Sequence, residues 1–561
     1  MRDSANSFRI NIASHNLRRA QASFAAAWTG EWMLAVAISV VAFRDGGSTA
    51  VGVVAFVRMI PAAFLSPVGT ALADRFPRDR VLRWTCAIRA AALAGCAATV
   101  AAEAAPVIAY GLAAVATIAF VVFRPAHSAL LPSLCSTPLE LTSANVVRGL
   151  VDSVSTLVGP AAAAVLLAAA GPATALAWSA GLTVIAGLAL TRLVYDRSPA
   201  SQRGGTRMLV GEAIDGFRAL RRYPDVFLLV RLTLTQAITR GCFSVLVVVV
   251  AIDVLDTGES GVGVLTAAIG AGAVLGSLGV SMFADGRRLA VLLGAGVALW
   301  GLPLIGVGAF PRNGLILVML AIVGIGNALV DVGIFTLPAR LVPDAVLSRI
   351  FGALESLGAF VVAAACLLTP LLLDVLGVRW AMVVVGALGP IYVLAAWRRL
   401  RAIDRRVTRR DQEIALLDQL PMFRPLALPA IEQLADHLEP FTYDAGQHVV
   451  TQGDEGDRFY VIEQGAVDVI QNGAVTATLA AGDCFGEIAL LRNVRRTSSV
   501  VAATQLQVQS LCRDDFMTAI AGPLASRAAT EQLVTHRLDL VARADGRSTP
   551  HDPGDVAEQD R

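Results

Sequence analysis

The chain has 561 residues, 55% of them hydrophobic and only 16% charged, with a mean hydropathy of +0.64. Soluble globular proteins carry about 25% charged residues, so this composition argues against a wholly soluble globule and for a membrane protein. Every basic residue is arginine and the net charge is +2, so a phosphate loop built on lysine, and ATP hydrolysis by that route, are excluded.

Residues 1–19 hold Arg2, Arg9, Arg18 and Arg19 without the short apolar core of a signal peptide, so the first apolar run is expected to stay as a membrane span. A span needs about 20 largely apolar residues in helix. In chain order the predicted spans are Ala20–Phe43, Ser48–Ala73, Arg80–Ala102, Pro106–Phe123, Ser143–Ala170, Pro172–Val194, Val226–Ile252, Gly261–Ala284, Leu289–Ala309, Asn313–Leu337, Leu347–Leu373 and Gly377–Trp397. The arginine-rich stretch Tyr195–Asp225 divides these twelve runs six and six.

One set of connecting loops carries Arg75, Arg78, Arg80, the central stretch, Arg287, Arg288, Arg398, Arg399 and Arg401. The opposite set holds little beyond Arg44, Arg312 and Arg379, beside Asp253, Asp256 and Glu259. Arginine accumulates on the cytosolic side, which predicts cytosolic termini in a bacterial inner (plasma) membrane. The two halves also echo each other. Pro125-Ala126 and Pro132 precede Gly149-Leu-Val-Asp152-Ser153, as Pro338-Ala339 and Pro343 precede Gly352-Ala-Leu-Glu355-Ser356. Repeated bundles with a substrate path between them near mid-bilayer are a transporter architecture.

After Trp397 the pattern changes. Arg398–Arg410 is a basic run suited to anionic headgroups. Helical spacing follows over Ile414–Leu438, then short alternating strands punctuated by Gly446, Gly453, Gly456, Gly465, Gly473 and Gly482. An amphipathic stretch near Leu524–Val541 predicts a last helix, and 544–561 reads as a disordered tail. The domains expected are a cytosolic segment at 1–19, bundles at 20–194 and 226–400, linkers at 195–225 and 401–415, and a soluble domain at 416–543. The seven cysteines show no metal-ligand spacing and read as buried hydrophobes or free thiols.

Within the strand-rich segment lies Phe485-Gly-Glu-Ile-Ala-Leu-Leu-Arg-Asn-Val-Arg-Arg-Thr-Ser498. Gly486 permits a tight turn, and Glu487 opens a short helix whose free N–H groups suit an anion. Arg496 is a planar cation fit for a bidentate phosphate contact. A carboxylate cannot favour phosphate, so Glu487 is expected to accept from a sugar hydroxyl. Phosphate with a free hydroxyl close by describes a cyclic nucleotide. Together with Gly453-Asp454-Glu-Gly456-Asp457-Arg-Phe459-Tyr460-Val461-Ile-Glu-Gln-Gly465, this cassette resembles the cyclic-nucleotide-binding domains of catabolite activator proteins and protein kinase A regulatory subunits, over about Leu420–Leu540. The resemblance implies that Glu487 and the Gly486 amide bind the ribose 2′-OH, and that Arg496, the Ala489 amide and Thr497 hold the cyclic phosphate, with Ile488 inside the same turn. Arg495 stands where that family often has proline. Thr497 resembles cGMP-selective relatives, but cAMP is the ligand expected first. The structural alternative is a degenerate jelly roll kept as an appendage.

The loop Thr70-Ala-Leu-Ala-Asp74-Arg75-Phe-Pro-Arg78-Asp-Arg80 resembles the signature between spans two and three of the major facilitator superfamily, with Thr70 and Pro77 where that motif usually has glycines. Pro125–Pro132 and Gly159-Pro160 resemble its exporter branch and antiporter motif. Charges inside a bilayer cost several kcal/mol, so each needs a reason. Glu31 and Arg240, mid-span on equivalent helices, are expected to pair, or to alternate with Arg58, as a proton-coupling or gating element. The alternative is a helix-packing ion pair. Asp152 and Glu355 are expected to latch onto the arginine-bearing loops with Asp74, Arg75 and Arg78. Asp331 is a further transport candidate. Trp28 and Trp32 flank Glu31 and line an aromatic pocket or pack between helices.

The expected fold is thus an α-helical polytopic membrane protein of two six-helix bundles, followed by a β jelly-roll nucleotide-binding domain flanked by helices. The expected function is proton-coupled export of a small molecule by alternating access, regulated by cAMP or cGMP. The rival is a membrane-tethered receptor whose transporter-like part moves no solute. No catalytic constellation, metal site, cofactor or nucleic-acid polymer is expected, and the chain acts as a monomer or a homodimer.

Overall fold

The computed structural model describes residues 14–135, 137–191, 193, 221–283, 288–310, 313–342, 344–426, 428–521 and 535. The N-terminal segment, the central arginine-rich stretch, the expected last helix near Leu524–Val541 and the tail lie outside or almost wholly outside these residues. The chain divides into two compact units, Met1–Asp404 and Arg405–Arg561.

The first unit is helical. Its elements are α1 (His15–Arg75), α2 (Arg78–Ala101), α3 (Pro106–Leu134), α4 (Pro138–Ala170), α5 (Pro172–Ala189), α6 (Pro224–Val249, continued by a π turn Val250–Val254), α7 (Gly258–Phe283), α8 (Leu289–Ala309), α9 (Asn313–Leu341) and α10 (Asp344–Gln419), whose last turns run past Asp404 into the second unit. Proline at the first position of α3 to α6 costs no hydrogen bond there. Thr137 caps α4 by accepting from the Glu140 amide at 3.2 Å.

Ten helices among the described residues are long and apolar enough to cross a membrane. The sequence marks twelve apolar runs because two helices each carry two. Within α1, Gly46 and Gly47 leave helical geometry (φ −156° and +61°), and within α10 Gly377 does so at φ +72°. A positive φ is cheap only for glycine, so these residues reverse the chain without an intervening loop.

In the first half α1 packs on α3, α4 and α5, and α2 packs on α3 and α5. Phe24, Phe120 and Phe123 fill its core, with Trp28 packed alongside and His127 stacked on them. In the second half α9 packs between α7 and α8. Backbones approach closely there: a Cβ on Gly272 would lie 1.7 Å from the Ala321 carbonyl oxygen. Small residues at such crossings let helices associate without an aqueous driving force. Asp404 caps α8, accepting from the amides of Ala290 at 2.7 Å and Val291 at 3.0 Å.

The halves meet along α4 and α7, where Gly263 faces Pro160 and Ala164. They meet again where Gly52 faces Cys366 and Pro370, and where Arg44 forks onto Glu259, Nη2 to Oε2 at 2.6 Å. Gly149 on α4 and Gly352 on α10 lie toward the other ends of the spans and face open space.

The second unit contains α11 (Leu428–Asp436) and eight strands: β1 (Glu439–Tyr443), β2 (His448–Val450), β3 (Arg458–Gln464), β4 (Ala466–Gln471), β5 (Ala474–Ala480), β6 (Cys484–Phe485), β7 (Ser499–Ala502) and β8 (Leu506–Cys512). Two short helices, α12 (Glu487–Arg492) and α13 (Arg513–Ala521), complete it. The strands form two antiparallel sheets, ordered β1-β8-β3-β6 and β2-β7-β4-β5. Alternation along β3 serves two cores. Phe459 and Val461 face a helix-side cluster with Phe423 and Phe516, while Tyr460 and Ile462 join Phe485, Val467 and Val500 in the other. Opposite faces of one strand thus carry both layers of the domain.

Candidate functional site

In the second unit the nucleotide cassette is built around one turn. β6 pairs Phe485 with Tyr460 of β3, and the two rings stack 4.9 Å apart. The chain then turns through Gly486 at φ +92° into α12, which Asn493 ends at φ +52°. Arg496 follows, buried to 5% exposure. Its Nη1 donates to the Gly486 carbonyl at 3.0 Å and its Nη2 to the Arg458 carbonyl at 2.7 Å. Asp457 stands 3.7 Å away. Backbone bonds from the Arg496 amide to Asp454 (2.8 Å) and from the Gly453 amide to Arg496 (2.9 Å) tie the cassette to the glycine-bearing 453–457 turn.

Gly486, Glu487, Ala489 and Arg496 thus converge. Glu487 is fully buried and interacts electrostatically with Arg496. Ile488 and Thr497 are half-buried beside them. Gly456 is needed for close approach: a Cβ there would sit 2.6 Å from that of Ala489 and 3.4 Å from Arg496 Cζ. Burial pushes the Arg496 guanidinium below its ordinary range, opposed by Tyr460, Asp457 and Glu487. Two of its five N–H donors are held by neutral carbonyls, so the cation is oriented while its charge remains available to an anion. Arg495 is exposed and donates to the Gly453 carbonyl at 2.8 Å, outside the cradle.

In the first unit Glu31 lies between two arginines. Arg89 Nη2 donates to its Oε2 at 2.6 Å and Arg58 Nη2 to its Oε1 at 3.2 Å. Arg58 also donates through Nε to Thr117 Oγ1 at 3.1 Å. Arg89 is 1% exposed, with its Cζ 3.9 Å above the Phe120 ring. Arg58, expected as an alternate partner of Glu31, is in contact with it. Arg240 is not a partner of Glu31 here, because the carboxylate is taken up inside its own half by α2. Arg89 is the residue that sequence reasoning missed, although an arginine nine positions into the third apolar run was a visible signal. Trp28 stacks on Phe24 of its own helix at 5.7 Å and meets the Phe120 ring of α3 at 5.4 Å, which is packing between helices.

Arg240 instead faces Asp152 and Asp331 electrostatically, and Asp331 is also coupled to Arg124 and Glu355. Arg148 is coupled to Arg124 and Asp152. Asp152 and Glu355 therefore belong to a cluster of charges drawn from α3, α4, α6, α9 and α10. Arg124, Arg240, Asp331 and Glu355 are exposed although they sit within apolar helices. Charge in the membrane interior is tolerated where it lines water, so these exposed side chains line a water-accessible cleft among the helices. Of the expected loop latch, Arg78 donates to the Ala129 carbonyl of α3 at 2.7 Å, and the side chains of Asp74 and Arg75 lie outside the described residues.

Comparison with known proteins agrees with this division. The Major Facilitator Superfamily profile matches residues 22–365 and 232–431, and the cyclic nucleotide-binding domain profile matches residues 440–522. A cAMP-dependent protein kinase regulatory subunit from Aspergillus niger is 33% identical over 150 residues, covering 26% of this chain and 33% of that protein. Its counterpart from Eremothecium gossypii is 40% identical over 132 residues, covering 23% and 27%. A solved structure of cAMP-bound PfPKA-R is 24% identical, with a TM-score of 0.24, over 26% of this chain and 51% of that one. The chain thus spans about a third or less of the length of these curated relatives. Helical bundle and nucleotide cassette together define a multi-pass membrane protein with a fused ligand-binding domain. The chain belongs to the Major Facilitator Superfamily and carries a C-terminal cyclic nucleotide-binding domain.

Proposed function

We propose that this protein is a secondary active transporter whose cycle is biased by a cyclic nucleotide bound at Arg496. The observation that carries the reading is the Arg496 cradle, an anion site of intact geometry joined by continuous chain to a transporter bundle. cAMP is the preferred ligand because the matching relatives are regulatory subunits of cAMP-dependent kinases; cGMP is the competitor, through the hydroxyl of Thr497. Alternating access is supported by the two-half bundle of the superfamily match and by exposed charges among its helices. Proton coupling is supported by the carboxylates Asp152 and Asp331 in the cleft. Export is the direction favoured by the exporter-like Pro125–Pro132 and Gly159-Pro160 segments, in a plasma membrane with cytosolic termini. Nucleotide can move the cycle only by binding one conformation more tightly than another.

Calorimetric titration of cAMP and then cGMP into the purified full-length protein tests the reading, with Arg496→Ala as control. Saturable binding lost in the variant is the expected result. Absence of binding by both nucleotides would reduce the second unit to a structural appendage.

A further inference from the structure

The six charges of the cleft are arranged differently from the other intramembrane ions of this protein. Glu31, Arg58 and Arg89 collapse into direct contact. Arg124, Arg148, Arg240, Asp152, Asp331 and Glu355 do not: among the described residues none of them makes an ion pair within 4.0 Å, although the three arginines and the two aspartates each feel a charge of opposite sign and Glu355 adds a like charge beside Asp331. Their local restraints are uncharged. Asn327 Nδ2 holds Asp331 Oδ2 at 2.9 Å, Arg148 donates to Ser128 Oγ, and Arg124 lies 5.3 Å from the centre of the Trp28 ring.

Unpaired opposite charges held apart around water leave a gap that one kind of solute fills well. A monoanion answers the guanidinium groups and is repelled by the carboxylates; a monocation does the reverse. A neutral apolar solute would strip water from the charges and return nothing, at several kcal/mol per ion. A solute carrying both charges completes both sets. One helical turn from Asp331 and from Glu355, at i+4 and i−4, stand Phe335 and Phe351, whose rings are 5.7 Å apart. Phe335 is 48% exposed, so an apolar surface borders the charged one.

We propose that the cleft binds a small zwitterion bearing an apolar group, its anionic end toward Arg240 and Arg124 and its cationic end toward Asp331. The inference rests on the transporter reading, which its test keeps separate. The full-length protein in detergent is heated at neutral pH with an equimolar mixture of apolar and aromatic α-amino acids, with their N-acetyl derivatives, or with their methyl esters. Ligand that binds only the folded protein raises the unfolding midpoint in a concentration-dependent way. The free amino acids are expected to raise it and the two single-charge sets to leave it unchanged. The protection should weaken at least tenfold in Arg240→Gln and in Asp331→Asn, and return in part in Arg240→Lys. No protection by the free amino acids, equal protection by either single-charge set, or full protection in both variants overturns the proposal. The wild-type comparison stands even if a variant fails to fold. Binding without flux in liposomes would instead sink the transporter reading and leave the site.

Discussion

Two buried arginines show how differently the two units use the same side chain. Arg89, 1% exposed, is held by the Glu31 carboxylate and leans on Phe120. Arg496, 5% exposed, is held by two backbone carbonyls and by one longer contact to Asp457, which is 77% exposed. The first cation has its own counter-ion and serves the packing of α1, α2 and α3. The second is oriented by neutral acceptors and keeps its charge for something absent from the chain. Burial alone therefore does not mark a binding site; the chemistry of the acceptors does.

The largest expected effect falls on the membrane trio. In Glu31→Gln, Arg58 and Arg89 remain buried without a carboxylate, and breaking a buried pair costs about 3–5 kcal/mol. The variant should show a markedly lower unfolding midpoint in detergent, with part of the loss restored by adding Arg89→Gln. Wild-type stability in Glu31→Gln would mean that water or another anion neutralises these arginines, and the comparison would collapse.

Next comes Arg496→Ala, which should cost no membrane-domain stability. Charge-assisted hydrogen bonds contribute about 1.5–3 kcal/mol, so cAMP affinity should fall on the order of 100-fold in calorimetry. Unchanged affinity would place the phosphate elsewhere and make Arg496, like Arg89, a packing residue.

The same contrast explains what could be read in advance. The nucleotide cassette is assembled by the run Phe485–Ser498 and one neighbouring turn, so residue order pointed to Gly486, Glu487 and Arg496, and the family resemblance added Ala489. The membrane network is assembled from single residues on separate helices. Apolar length located the spans, and the Glu31–Arg58 contact was anticipated. Equivalence between halves suggested Arg240 as a partner, but α2 lies nearer and supplies Arg89. The cleft escaped notice because Arg124 and Arg148 sit close to span ends, where an arginine looks like a loop charge. Their convergence with Asp152 depends on how α3 and α4 pair, which no local pattern records. Helix continuity was similarly hidden: Gly46–Gly47 and Gly377 reverse the chain so tightly that two runs share one element.

The smallest effect asks whether the neutral acceptors of Arg496 matter as much as its charge. Gly486 supplies one of them, and its φ of +92° lies where a side chain is strained. An added Cβ would stand 2.7 Å from Arg496 Nη1 and 2.9 Å from the Arg458 carbonyl oxygen, so alanine pushes directly on the guanidinium and its second acceptor. The left-handed backbone costs an L-residue roughly 1–2 kcal/mol, and displacement of Arg496 adds to the loss of ligand contacts. Gly486→Ala should therefore lower the melting of the nucleotide domain slightly and weaken cAMP binding about tenfold (1.4 kcal/mol), less than Arg496→Ala. Full affinity in Gly486→Ala would show that the guanidinium reaches its ligand without the carbonyl scaffold. Charge alone would then make the site, and acceptor chemistry would no longer separate Arg496 from Arg89.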